Sequence, residues 1–75
     1  MDKPLLLQRV ATIRARAEAA HLEVVISSEL IAQLEKAGRD VRDAERHLMV
    51  SKMTEQKLLH ELDWVLDELD RLATD

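Results

Sequence analysis

The sequence predicts an all-α protein, an antiparallel hairpin of two long helices with a turn near Gly38. Its composition is 47% hydrophobic and 35% charged with a single aromatic residue, which is typical of long helices and coiled coils. Apolar residues recur at alternating intervals of three and four, the spacing that gathers side chains on one helix face. The only glycine lies near the middle of the 75 residues and divides this repeat into two nearly equal parts.

A first helix is predicted over about residues 4–37. Pro4 falls in the first helical turn, where proline is tolerated, and Asp2 is a candidate N-cap. Because the apolar repeat follows one face of this helix, its residues are expected to form one half of a packed seam. The repeat consists of Leu6, Val10, Ile13, Ala17, Ala20, Val24, Ser27, Ile31 and Leu34.

The turn is predicted at residues 38–39, followed by a second helix over about residues 40–73. Gly38 suits the position after a helix end because it adopts positive φ without a Cβ clash, and Asp40 can cap the next helix. The second repeat mirrors the first about residue 39, as an antiparallel pair requires. It consists of Val41, Ala44, Leu48, Ser51, Glu55, Leu58, Leu62, Val65, Leu69 and Leu72.

Two other architectures remain open from the sequence. A three-helix bundle is one, because β-branched residues at 24–26 precede two serines that could start a new helix, and Ser51 or Thr54 could mark a second break. The other is one long coiled-coil helix through Gly38, at a cost of about 1 kcal/mol for the glycine. The second repeat extends backwards through Leu34 in register, which favours that alternative.

The chain is expected to be one small helical domain, residues 1–75, that associates with a second copy. A core this small rarely supplies more than about 3–5 kcal/mol, and without cysteine no disulfide can add to it. Two hairpins packed face to face would make a four-helix bundle, so a homodimer is expected. The residues expected in this dimer and core seam are Leu6, Val10, Ile13, Ile31, Leu34, Leu48, Leu58, Leu62, Val65, Leu69 and Leu72.

A binding surface for another protein is predicted on the second helix, opposite its seam. Trp64 lies there with other apolar residues at helical spacing, and tryptophan is enriched at the energetic centres of interfaces. Residues 61–75 carry six acidic residues and only one basic residue, which favours a target with a basic surface. The residues predicted to contact the partner are Trp64, Val50, Met53, Asp63, Asp67, Glu68 and Arg71.

Glu55 interrupts the second seam with a carboxylate, which is costly to bury without a partner. In the hairpin arrangement His21 falls nearby and could pair with it, and one polar seam position can specify register. The alternative is that Glu55 turns towards solvent at a loosened point of the helix.

Several function classes are disfavoured by the residues present. The chain has no glycine-rich phosphate loop and no cysteine nucleophile, so no enzyme activity, cofactor or metal site is expected. His21, His47 and His60 are expected to be ordinary surface histidines. No apolar run approaches 18 residues, so a cytoplasmic protein without a membrane span is expected. The arginine-rich, lysine-poor composition suggests a bacterial or phage chain.

The function favoured by these patterns is that of a small non-enzymatic regulator that binds another protein. It would act as an adaptor, inhibitor or chaperone by covering a surface on its target. One alternative is a nucleic-acid-binding regulator, although the net charge of −4 makes nucleic acid an improbable partner. Its candidate contacts are Arg39, Arg42 and Arg46, or Arg9, Arg14 and Arg16. The other alternative is a structural subunit of a larger assembly.

Overall fold

The computed structural model describes residues 3–74, which form two antiparallel helices. These are α1 (Lys3–Lys36) and α2 (Arg42–Thr74), joined by a loop of residues 37–41. The two helices pack along their length, so the molecule measures 59 × 14 × 14 Å. The predicted all-α antiparallel hairpin is therefore confirmed. Asp2, the candidate cap of the first helix, lies outside the described residues.

The end of α1 has the hydrogen bonds of a Schellman motif, in which a residue of positive φ follows the helix. Gly38 has φ +69°. Its N–H donates to the carbonyl of Glu35 at 3.0 Å, and the Arg39 N–H donates to the carbonyl of Leu34 at 2.9 Å. These two bonds satisfy carbonyls that a helix end otherwise leaves without partners. Positive φ at Gly38 also rules out the single long helix.

The start of α2 lies two residues later than the predicted residue 40. The Asp40 carboxylate accepts a hydrogen bond at 3.0 Å from the backbone N–H of Arg42, so Asp40 caps the helix from outside it. The Val41 carbonyl accepts the first helical bond, from the Glu45 N–H at 2.8 Å. The loop is consequently longer than the predicted turn at 38–39, while its centre stays at residue 39.

Both helices run without interruption through the positions that could have broken them. The Ser28 hydroxyl donates to the carbonyl of Val24, and the Thr54 hydroxyl donates to the carbonyl of Val50, each at 2.9 Å. These hydroxyls therefore bond back into their own helix and do not cap a new one. The β-branched residues at 24–26 are helical as well. The three-helix alternative is thus wrong.

The seam is packed most tightly at the end of the hairpin away from the loop. Leu6 and Val65 are 1% and 0% exposed, and together with Val10 and Ile13 they form the buried core. Leu58, Leu62 and Leu69 are half-buried against it. At the outer limit of this end, Leu72 is 37% exposed, so it contributes less to the core than predicted.

Nearer the loop the seam is less well covered. Ile31, Leu34 and Leu48 are only half-buried, and the fully buried positions there are the small residues Ser27 and Ser51. Among the described residues, no buried side-chain nitrogen or oxygen lacks a hydrogen-bond partner. Seam layers built from serine bury less apolar surface than leucine layers would, so this half contributes less to stability.

Candidate protein-interaction surfaces

The residues predicted to bind a partner are found on the solvent-facing side of α2. Trp64, Val50 and Met53 are 50%, 56% and 61% exposed, which is high for large apolar side chains. Met53 and Trp64 are eleven residues apart, or about 16 Å along the helix. The predicted strip therefore consists of two separate apolar patches, one at Trp64 and one at residues 50–53. We refer to Val50, Met53, Trp64, Asp63 and Asp67 as the α2 face.

A shallow depression of about 460 Å³ adjoins the part of the α2 face nearer the loop, at Val50 and Met53. Val50 and Met53 supply its apolar wall, and the exposed Met49 lies nearby. Methionine is flexible and polarisable, so it adapts to irregular partner surfaces. The residues lining the depression are Val50, Met53, Thr54, Gln56, Lys57 and His60.

Trp64 is held on one side by an arginine from the other helix. The guanidinium carbon of Arg9 lies 6.0 Å from the centre of the indole ring. Arg9 also donates to the Glu61 carboxylate at 3.3 Å. A cation–π contact at such an exposed site contributes about 0.5–1 kcal/mol, which is enough to favour one position of the indole ring. Arg9 was not among the residues predicted for this surface.

The acidic residues around Trp64 differ in how far they are neutralised. Glu68 is half-buried and accepts a hydrogen bond from Arg71 at 3.1 Å. Asp63 and Asp67 are exposed. The structure therefore places Glu68 and Arg71 in a pair within α2, and it leaves Asp63 and Asp67 as the acids of the α2 face that are presented to solvent.

Of the two possibilities that the sequence left open for Glu55, the structure has the pairing with His21, at 2.8 Å between Nδ1 and Oε2. A second histidine–glutamate pair joins His47 to Glu23 at 3.0 Å on the opposite side of the seam. His47 was predicted to be an ordinary surface residue. Positions 23 and 47 each immediately precede a seam residue, and this shared position could have identified the pair.

The arginines near the loop are engaged with neighbouring carboxylates. Arg42 donates to Asp40 through Nε and Nη2 at 2.8–3.1 Å, and Arg46 lies 4.0 Å from Asp43. The Arg42 side chain, with its backbone N–H, holds the pKa of Asp40 below its usual value, and the same pair raises the pKa of Arg42. Of the three loop arginines proposed as nucleic-acid contacts, Arg42 is thus hydrogen-bonded to a carboxylate, whereas Arg46 only lies near one.

The side of α1 away from the seam carries an uncharged stripe that was not predicted from the sequence. Every residue in it is exposed, and at its N-terminal end Leu5 and Gln8 border a surface depression that also includes Glu61 of α2. A helix that is apolar on two sides is usually buried on both. The sequence does contain a pattern that indicates this stripe, namely a second series of uncharged residues at intervals of three or four. This α1 stripe consists of Leu5, Gln8, Ala11, Ala15, Ala19, Leu22, Ile26, Leu30 and Gln33.

Two further kinds of site were sought in the part of the chain that the structure describes. Residues 3–74 contain no group of three or more histidine, aspartate or glutamate side chains placed to hold a metal ion. Neither α1 nor α2 has an apolar stretch long enough to cross a bilayer. Comparisons with protein families, with curated proteins and with solved structures give no match for this chain. The function is therefore inferred from the exposed surfaces themselves.

Proposed function

We propose that the chain is a small non-enzymatic regulator that binds a protein target through the α2 face and acts by covering part of the target's surface. Adaptors, inhibitors and chaperones work in this way. The observation that carries the proposal is the exposure of Trp64 together with Val50 and Met53 on one side of a single helix. Solvent-facing helix positions normally carry polar residues, so three large apolar ones indicate a contact site.

The α2 face suits a target with an apolar groove. An amphipathic helix binds such a groove with anchors spaced by whole helical turns, and residues 50, 53 and 64 have this spacing. A buried tryptophan is a common energetic centre of an interface. Burying apolar surface contributes about 25 cal/mol per Å², so most of the affinity would come from these three side chains.

Charge would determine which groove is chosen. Asp63 and Asp67 flank Trp64 and are exposed, so they favour a basic rim on the target. The engagement of Arg42 with Asp40 weighs against the alternative of nucleic-acid binding at the loop, because phosphate contacts need free basic groups. A protein target with a basic rim is therefore the preferred partner.

The proposal is tested by capturing targets from the native host with the purified chain and identifying them by mass spectrometry. Trp64→Ala should lower the affinity for the captured target at least tenfold, because it removes the central anchor. Leu59→Ala is the matched control, since Leu59 lies on the same helix with a similar exposure of 47% but beside the seam.

Capture by Trp64→Ala at wild-type affinity would refute the assignment of the α2 face. Because Trp64 is the only tryptophan, its fluorescence provides an independent readout. Its emission should move to shorter wavelength when the identified target is added, as the ring leaves water. An unchanged spectrum at saturating target would contradict the proposal even if some capture remained.

A further inference from the structure

The α1 stripe differs in charge from the exposed side of α2. It runs from Leu5 to Gln33, about 42 Å along the helix, without a charged residue. The exposed side of α2, by contrast, carries Lys57, Asp63 and Asp67. A long uncharged stripe in solvent is unfavourable, and the three large residues Leu22, Ile26 and Leu30 lie in its second half.

We propose that the α1 stripe binds the α1 stripe of a second copy of this chain, with the two helices antiparallel about a two-fold axis near residues 20 and 21. A two-fold interface uses the same patch on both copies, so the patch must be complementary to itself. Along the stripe, three alanines precede the axis and three large apolar residues follow it, and further out Gln8 lies opposite Gln33. The axis consequently sets Ala19, Ala15 and Ala11 of one copy opposite Leu22, Ile26 and Leu30 of the other.

This arrangement of large against small residues favours a second copy over an unrelated partner. Facing positions that alternate in size interdigitate and allow two helices to approach closely. Three consecutive pairs with this complementarity are found only for the antiparallel orientation. In a parallel pair each alanine would face an alanine and each large residue would face its own kind, leaving gaps in one half and crowding in the other.

The charges beside the stripe agree with the same orientation. Arg16 and Glu23 flank the stripe on one side, and the two-fold axis brings Arg16 of each copy within reach of Glu23 of the other. Within residues 3–74, Arg16 has no hydrogen bond or ion pair in the single chain. Glu23 already accepts from His47 through Oε2, and its second carboxylate oxygen can accept from arginine. Antiparallel pairing would therefore supply Arg16 with a partner.

The exposed area of the hairpin is consistent with one missing partner. Its accessible surface is 5957 Å², whereas a folded monomer of 8.6 kDa is expected to expose about 4,700 Å². The excess of roughly 1,250 Å² is of the order that each partner contributes to a stable interface, typically about 800 Å² or more. The dimer would place α1 of each copy at the centre and leave both α2 faces outside. The inference is thus independent of the proposed function.

Cysteine cross-linking tests the orientation, and the chain has no native cysteine to interfere. Ala15→Cys and Ile26→Cys are each made alone and then mixed; both positions are exposed, so neither substitution removes a side chain from the core of the hairpin. On mild oxidation the mixture should give mostly a disulfide-linked pair of one chain of each kind. Ala15→Cys alone should give little cross-linked product, because its own counterpart lies eleven residues away, about 16 Å along the helix.

A dominant cross-link with Ala15→Cys alone would show parallel pairing, and no cross-link in either sample would show that the stripe is unoccupied. Either result overturns the inference. Charge reversal gives a second readout by light scattering: Arg16→Glu should weaken dimerisation at least tenfold, and adding Glu23→Arg should restore it. Arg14→Glu, at an exposed position off the stripe, is the control and should leave the dimer unchanged.

Discussion

His21 and Glu55 form a hydrogen bond of 2.8 Å between α1 and α2, and it offsets the cost of a carboxylate at a seam position. Glu55 is half-buried, with 24% of its side chain exposed, whereas the His21 side chain is 64% exposed. The pair is therefore a polar seam contact that remains accessible to water. One polar position of this kind specifies how two helices are aligned, at some cost in stability.

Removing the His21 side chain is expected to lower the free energy of unfolding slightly, and only when Glu55 is present. His21→Ala should lower the free energy of unfolding by less than about 1 kcal/mol, since the histidine is largely exposed. Glu55→Leu should be neutral or stabilising, because an apolar residue fits the seam. In the Glu55→Leu background, His21→Ala should change nothing. Urea unfolding of the four proteins measures this coupling, and strictly additive effects would show that the contact contributes no energy.

Asp40 should make the stability of the hairpin depend on acid pH. Its pKa is lowered in the folded chain by hydrogen bonds from Arg42, so its contribution is present above the ordinary pKa of 3.8 and is lost as pH falls through the lower folded value. Asp40→Asn keeps a capping oxygen but removes the charge. The difference in thermal midpoint between the two proteins should shrink below pH 4, and a constant difference down to pH 2 would contradict the assignment.

Gly38 is required for its backbone conformation and not for space. No atom lies within 4 Å of where a Cβ would stand, so the cost of Gly38→Ala comes from φ +69° alone. We expect Gly38→Ala to lower the free energy of unfolding by about 1 kcal/mol. Gly38→Asn should lower it less, because asparagine tolerates positive φ better than alanine. Chemical denaturation of the three proteins measures whether stability falls in the order glycine, asparagine, alanine. Equal stability of the alanine variant and the wild type would mean that the Schellman motif is not kept in solution.

The two ends of the seam should respond differently to truncation. Leu6 is buried and Leu72 is 37% exposed, so Leu6→Ala should cost about 2–3 kcal/mol and Leu72→Ala less than about 1 kcal/mol. A loss of 2–3 kcal/mol is most of what a core of this size supplies, so Leu6→Ala should lose much of its helicity at 25 °C. Circular dichroism during urea titration measures the free energy of unfolding of both variants. Similar decreases for Leu6→Ala and Leu72→Ala would contradict the conclusion that the core is packed more tightly at Leu6.

The helices and the loop could be predicted because they depend on local chemistry. A single glycine with positive φ, a capping aspartate and a 3-4 apolar repeat act within one or two helical turns. The His21–Glu55 contact was one of two possibilities that the sequence left open, since both residues lie at or beside the seam but a solvent-facing Glu55 fitted the same pattern. The start of α2 was placed two residues early because Asp40 caps from the loop, and sequence alone does not separate the cap from the first helical residue.

The remaining contacts depend on how the two helices are aligned with each other. Arg9 and Trp64 are 55 positions apart, and their contact at 6.0 Å follows from side-chain packing along the whole seam. The same holds for His47 and Glu23. The α1 stripe was missed for a different reason: the seam accounted for the apolar repeat, and exposure of the second series became evident only once α2 was in place.

The mass of the purified chain in solution tests most directly the central claim that this hairpin functions by binding other polypeptide chains. Light scattering across a hundredfold range of concentration should give twice the monomer mass of 8.6 kDa at the upper end and a shift towards the monomer on dilution. A chain that stays at 8.6 kDa throughout, yet unfolds cooperatively with high stability, would contradict the claim for a second copy of this chain, because the α1 stripe would then need no partner.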